Sequence, residues 1–92
     1  MADGYAWNPD KNRELLERRG LSFIMVLEAL AQGGLLDDLE HPSKLRQNQR
    51  TMIVKVKGEI CVVPYVKDGD TKFLKTIFPN RDYRDKYGGV DG

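Results

Sequence analysis

The segment from Lys75 to Gly89 gathers positively charged and phenolic side chains in one place. An apolar stretch ends at Pro79, and a short helix-like run then carries Arg81, Tyr83, Arg84, Lys86 and Tyr87. Cleaving RNA without a metal ion requires stabilising extra negative charge on phosphorus. Arginine suits that task because its planar fork grips two phosphate oxygens. Tyrosine rings can also stack on splayed bases, so this inventory favours RNA as the ligand.

Four further residues could serve the same chemistry. His41 precedes Pro42 in a polar loop, and histidine transfers protons near neutral pH. Arg50 opens the predicted β-meander, Lys55 lies within it, and Lys75 follows on the last strand. Each also has a structural alternative: an exposed loop histidine, a solvated strand cation, or a lysine whose stem covers apolar surface.

Other enzyme classes lack their motifs here. One histidine, one cysteine and scattered acids do not predict a four-ligand metal site. The chain has no phosphate-binding glycine loop and no G-x-S-x-G. His41 and Ser43 lie close together but lack a third member of a hydrolytic triad. We therefore expect no metal and no small-molecule cofactor.

Length and charge suggest one domain with a basic half. The 92 residues fit a single core, which we expect to span about residues 5–87, with 88–92 as a disordered tail. Residues 1–40 carry four Lys and Arg against eight Asp and Glu, whereas residues 41–92 carry eleven against six. A single cysteine, no long apolar run and no signal peptide favour a cytoplasmic protein without a membrane segment.

The first half of the chain predicts a short strand and two helices. A short extended piece at 5–7 leads to a helix over about 9–19, with Asn8 as N-cap and Gly20 as terminator. Ser22 would cap the second helix, whose apolar residues recur at helical spacing: Phe23, Val26, Leu27 and Leu30. The short connection predicts that the helices form an antiparallel hairpin.

The second half predicts β-structure. We expect a short strand at 35–39, two strands joined at Lys57-Gly58, and a third strand over 72–78. Pro64 implies either a bulge or an unpaired strand edge, since proline cannot donate to a ladder. The predicted class is α+β: a short N-terminal strand, a two-helix hairpin, a twisted antiparallel meander of three to four strands, and a short C-terminal helix.

This order of elements resembles the plan of the RelE-like bacterial toxins. More specifically, "WNPDKNRELLERRGLSF" is similar to the opening of the BrnT family, with matches at Trp7, Lys11, Gly20, Ser22 and Phe23. The stretch "FLKTIFPNRDYRDKY" resembles that family's last strand, Arg-containing turn and terminal tyrosine, with matches at Arg81 and Tyr87. The resemblance covers residues 5–87.

The resemblance implies a metal-independent endoribonuclease toxin of a bacterial type II toxin–antitoxin pair. Its partners would be an RNA substrate and a DNA-binding antitoxin protein. Arg81 and Arg50 would bind phosphate and stabilise the transition state, with Lys75 assisting electrostatically. His41 or Tyr83 would transfer protons. Lys55, Arg84 and Lys86 would contact the RNA.

Departures from the family pattern leave a second interpretation open. Ile24 and Met25 stand where the family usually has acids, and "FPNR" replaces its "ISAR" turn. The chain could therefore be a catalytically inactive interaction module that binds a protein or nucleic acid. Ile24 and Met25 would then form an apolar docking surface for a partner protein, or they would complete the core.

Overall fold

The computed structural model describes residues 4–40 and 48–79, which form an α+β domain. The elements in chain order are β1 (Gly4–Trp7), α1 (Pro9–Arg19), α2 (Phe23–Ala31), β2 (Leu35–Glu40), β3 (Gln49–Val56), β4 (Glu59–Asp68), β5 (Thr71–Leu74) and β6 (Phe78–Pro79). The α+β class, the short N-terminal strand and the two helices are confirmed. The predicted C-terminal helix and the tail 88–92 lie outside the described residues.

Local signals set the ends of both helices. The Asn8 side chain accepts a hydrogen bond from the Asp10 N–H at 2.8 Å, and Gly20 ends α1 in the left-handed conformation with φ of 68°. The Ser22 hydroxyl accepts from the Met25 N–H at the start of α2. Asn12 of α1 also accepts from the Phe23 N–H at 2.8 Å, so a side chain of the first helix caps the second.

The sheet is larger than the sequence predicts, and it is mixed. Its strand order is β1-β5-β4-β3-β2, and β6 pairs with β4 beyond the end of β5. β1 runs parallel to β5, whereas the other pairs are antiparallel. The predicted antiparallel meander is confirmed with four strands, β2 to β5. The sheet as a whole is mixed because β1, the predicted short N-terminal strand, pairs in parallel with β5 at the edge of this meander.

The β3–β4 hairpin forms as predicted. Lys57 and Gly58 have φ of 52° and 81°, the two positive values that a tight type I′ turn requires. Met52, Val54 and Val56 lie in the main core, and Ile53 lies in a second apolar cluster. Alternate residues of β3 therefore point to opposite faces of the sheet.

The predicted strand over 72–78 is interrupted. β5 ends at Leu74, and β6 begins only at Phe78. Ile77 consequently joins Leu74 in the main core instead of sharing a face with Phe73.

The break also explains how the sheet accepts Pro64, which keeps its register opposite Thr51 without a bulge. Its carbonyl accepts from the Lys75 N–H at 2.8 Å, and its missing N–H lies beside the gap between β5 and β6.

Both helices cover one face of the sheet. Leu15 of α1 and Phe23 and Val26 of α2 are buried in the main core, and α2 packs mainly on β3. Trp7 of β1 stacks on Phe23, with ring centroids 5.7 Å apart. We call this face of the sheet the helix side. Neither helix in the described ranges is long and apolar enough to cross a membrane.

Candidate functional site

A row of polar side chains crosses the helix side of the sheet near the ends of its strands. We call it the polar row, and its members are Tyr5 of β1, Lys72 of β5, Tyr65 and Lys67 of β4, Arg50 of β3, and Asp38 and Glu40 of β2. Tyr5 and Tyr65 belong to the main core or pack against it, which fixes the side of the sheet they occupy. All five strands of the main sheet path therefore contribute to one surface.

Asp38 links three strands at the β2 end of this row. Its Oδ1 accepts a hydrogen bond from Arg50 Nε at 3.0 Å, and its backbone oxygen accepts from the Arg50 Nη2 at 3.1 Å. The Tyr65 hydroxyl lies 3.0 and 2.9 Å from the two carboxylate oxygens. Arg50 and Tyr65 are directly opposite each other in the β3–β4 ladder, so the antiparallel register brings both to the same carboxylate.

This contact perturbs the proton equilibria of two groups. The hydrogen bond to Asp38 raises the pKa of the Arg50 guanidinium, which stays charged. Burial, and then the hydrogen bond to Asp38, raise the pKa of Tyr65 to about 12. Tyr65 is therefore protonated at neutral pH. It serves as a hydrogen-bond donor to Asp38 rather than as a general base.

Glu40 completes this end of the row. It lies opposite Arg50 in the β2–β3 register, and its Oε1 is 3.6 Å from Arg50 Nη1. The Glu40 side chain is 84% exposed, whereas that of Arg50 is 27% exposed. The inner edge of the Arg50 guanidinium, Nε and Nη2, is fixed by Asp38. Its outer edge, Nη1, contacts only the exposed Glu40 side chain among the described residues, across a long and solvent-screened distance.

Two lysines occupy the β1 end of the row. Lys67 and Lys72 are directly opposite each other in the antiparallel β4–β5 ladder. Lys72 Nζ lies 5.6 Å from the centroid of the Tyr5 ring and 5.9 Å from that of Tyr65, within the range of cation–π contacts. Among the described residues, neither lysine forms an ion pair with a carboxylate.

Three of the predicted catalytic or RNA-binding residues fall within the described ranges, and they are not brought together. Arg50 lies in the polar row. Lys75 lies on the other side of the sheet, with its Nζ 5.1 Å from the Phe73 ring centroid. Lys55 is exposed five residues along β3 from Arg50, which strand alternation places on the opposite face about 17 Å away. The predicted residues Arg81, His41, Tyr83, Arg84 and Lys86 lie outside the described residues.

The two residues predicted to bind a partner, Ile24 and Met25, lie in different environments. The Ile24 residue is 49% exposed on α2, so it is available to a docking protein. Met25 instead packs against the main core and lines a groove of about 340 Å³ with Glu28, Gln32 and Lys57. Ile24 therefore fits the docking alternative, and Met25 largely fits the core alternative.

Sequence reasoning missed most of the polar row. Alternation in β4 does predict that Tyr65 and Lys67 share a face with the apolar Val63, and that signal was readable. The approach of Tyr5 to Lys72 depends on the parallel β1–β5 pairing, for which the sequence holds no local signal. The partnership of Asp38 with Arg50 depends in turn on the register of β2 against β3.

Cys61 and the acidic residues of the described ranges do not form a second reactive centre. Burial, and then the charge of Glu59, raise the pKa of the Cys61 thiol to about 11, so this buried cysteine is inert at neutral pH. No group of three or more histidine, cysteine or acidic residues within 4–40 and 48–79 could hold a metal ion. Comparisons of the chain with protein-family models, with curated proteins and with solved structures give no match.

Proposed function

We propose that this protein is a metal-independent endoribonuclease toxin of RelE-like plan, belonging to a bacterial type II toxin–antitoxin pair and acting in the cytoplasm. The observation that carries the proposal is the polar row, which aligns arginine, lysine and tyrosine side chains on one face of the sheet. The resemblance of the chain to the BrnT family supports it independently. RNA would lie across the row, and a DNA-binding antitoxin would neutralise the toxin by binding to it.

Within this proposal, Arg50 has a defined task. Asp38 fixes its Nε and Nη2, so the guanidinium is already oriented before a ligand arrives. Within 4–40 and 48–79, its Nη1 forms an ion pair with the exposed Glu40 carboxylate at 3.6 Å, which a phosphate group can displace. A preorganised donor of this kind contributes about 3–4 kcal/mol to a transition state that gains negative charge. Arg81 would share this work, and His41 or Tyr83 would transfer the protons.

Cleavage of total RNA in excess chelator tests the proposal. We expect discrete fragments from the parent protein and from the control Arg13→Ala, which removes an exposed helix arginine. Arg81→Ala and Arg50→Ala should lose most of this activity. Urea unfolding curves of both variants should show that they are folded under the assay conditions. Expression in bacterial cells, where ribosomes are translating, provides the second readout as growth inhibition. Intact RNA and normal growth with the parent protein would overturn the proposal.

The geometry also favours a second candidate, a catalytically inactive interaction module. Asp38 and Glu40 balance the charge of Arg50, and the raised pKa of Tyr65 removes it as a proton acceptor. Such a protein would bind RNA with an affinity that falls steeply with salt, yet it would release no product. Binding without fragments in the chelator experiment, together with unaffected growth, selects this candidate over the toxin.

A further inference from the structure

The two lysines at the β1 end of the polar row lie where their charges repel. Directly opposite residues of an antiparallel pair have Cβ atoms about 5 Å apart, and like charges at such positions destabilise the sheet. The structure offers no described carboxylate to either lysine. The nearest acids in the chain, Asp68 and Asp70, belong to the same hairpin but form no ion pair with them. An anion bound between the two ammonium groups would remove the repulsion.

Aromatic rings border this pair. Lys72 Nζ lies 5.6 Å from the centroid of the Tyr5 ring and 5.9 Å from that of the Tyr65 ring. Tyr65 is buried, but Tyr5 is only half-buried on the edge strand β1, so part of its ring remains accessible. A bound anion at Lys72 would therefore sit beside an accessible aromatic surface. A nucleotide offers both partners at once, an anionic phosphate and a planar base.

We propose that Lys67, Lys72 and Tyr5 form a subsite for single-stranded nucleic acid, in which the lysines bind a phosphodiester and Tyr5 stacks on an adjacent base. The inference rests on the proposed function, because it names the part of the surface that a single-stranded RNA segment occupies. It differs from the Arg50 region in its chemistry. Arg50 already has carboxylate partners, whereas neither lysine has one in the part of the chain that the structure describes.

Fluorescence anisotropy with a labelled single-stranded DNA oligonucleotide tests this subsite apart from cleavage. DNA lacks the 2′-hydroxyl, so it binds without being cut by 2′-hydroxyl attack. The double variant Lys67→Ala/Lys72→Ala should bind at least about tenfold more weakly. The slope of log Kd against log salt should also flatten by about 0.7, since the contact with one phosphate is lost. Arg13→Ala/Arg18→Ala, which removes two exposed helix charges, is the matched control and should bind as the parent does.

Variants of Tyr5 test the aromatic ring separately from the charges of the two lysines. Tyr5→Leu should weaken binding about 5- to 150-fold, the usual effect of losing one stacked base, whereas Tyr5→Phe should retain the parent affinity. Duplex DNA of the same sequence should bind more weakly than the single strand because its bases are not available for stacking. Thermal unfolding of each variant checks that the fold is intact.

The outcomes separate this inference from the proposed function. If the lysine double variant and its control bind equally, or if the duplex binds more tightly than the single strand, the subsite is wrong even where the parent cleaves RNA. If the lysine and Tyr5→Leu variants lose binding while the parent cleaves nothing, the subsite stands and the endoribonuclease proposal fails. An absence of any binding by the parent overturns the subsite.

Discussion

The two ends of the polar row differ in whether carboxylates of the fold compensate their positive charges. At the β2 end, Arg50 is held by Asp38 and Glu40, and the Tyr65 hydroxyl shares the Asp38 carboxylate. At the β1 end, Lys67 and Lys72 face each other with no described carboxylate between them. The β2 end therefore stabilises the fold, because its charges are neutralised within it. At the β1 end the two like charges oppose each other across the ladder, and among the described residues no carboxylate compensates them.

The contrast arises from the strands that supply each end. β2 is acidic and lies at the edge of the sheet, so its side chains reach the cation of β3. β4 and β5 bring lysines to the same position of their ladder, and β1 adds a tyrosine rather than an acid. Position in the row thus decides whether a cation is compensated by carboxylates of the fold, as Arg50 is, or has no described carboxylate partner, as Lys67 and Lys72 have not.

The largest effect on stability should come from removing the shared carboxylate. Asp38→Ala leaves the Arg50 guanidinium without its main partner and the buried Tyr65 hydroxyl without an acceptor. Because both charged side chains are about 30% exposed, the loss should be smaller than for a fully buried pair, at about 2–3 kcal/mol. Urea unfolding at neutral pH measures it. Asp38→Asn should lose less, since the amide oxygen still accepts from Tyr65; equal stability of Asp38→Ala and parent would contradict the assignment.

The next effect should be that of Tyr65→Phe, at about 1–2 kcal/mol near neutral pH, because one hydrogen bond to a charged group is lost. The pKa of Tyr65 is raised from 10.0 in the unfolded chain to about 12 in the folded protein. Its protonated form is thus favoured by folding, and this stabilisation is fully present below pH 10. It is lost as pH rises through 12.

Unfolding of both proteins across pH 9 to 12 checks this sign. By pH 12 the parent should lose about 2 kcal/mol more than Tyr65→Phe, since the full shift of two pKa units corresponds to about 2.7 kcal/mol and is reached only at higher pH. Cys61, whose pKa is also raised to about 11, is present in both proteins and cancels in the difference. Parallel stability curves for the two proteins would show that Tyr65 is not linked to folding in this way.

Features with a local signal were predicted correctly from the sequence. Helix α1 runs from Pro9 to Arg19 as expected, because the cap at Asn8 and the terminator at Gly20 act within one turn of the chain. The turn at Lys57-Gly58 and the alternation of Met52 and Val54 in β3 were also confirmed. These elements need only neighbouring residues to specify them.

Features that depend on distant pairing could not be predicted. The parallel pairing of β1 with β5 joins opposite ends of the described chain, and it alone brings Tyr5 to Lys72. The sequence around Ile77 shows no interruption of the predicted strand, yet the strand breaks there and the Ile77 side chain enters the main core. Arg50 was identified from the sequence as a candidate, but its neutralisation by Asp38 required the β2–β3 register.

Reversing one charge at the β1 end should raise stability and weaken ligand binding at the same time. Lys67→Glu converts a repulsive cross-strand pair with Lys72 into an attractive one, so we expect the domain to gain about 0.5–1 kcal/mol. The same change should abolish binding of the single-stranded oligonucleotide, because a carboxylate then occupies the position of the phosphate. Urea unfolding and anisotropy on one preparation measure both. A variant that is less stable than the parent would show that the lysines do not repel.

The smallest effect should be that of Glu40→Gln at the β2 end. The Glu40 side chain is 84% exposed and its oxygen lies 3.6 Å from Arg50 Nη1, so the lost ion pair should change stability by less than about 0.5 kcal/mol. If a phosphate displaces Glu40 on the way to Arg50, this variant should nevertheless bind RNA more tightly than the parent, by about two- to fivefold at low salt. Tighter binding with unchanged unfolding would identify Glu40 as a competitor for the outer edge of Arg50. A large loss of stability would instead make Glu40 a structural partner equal to Asp38, and Arg50 would then have no edge left for a ligand.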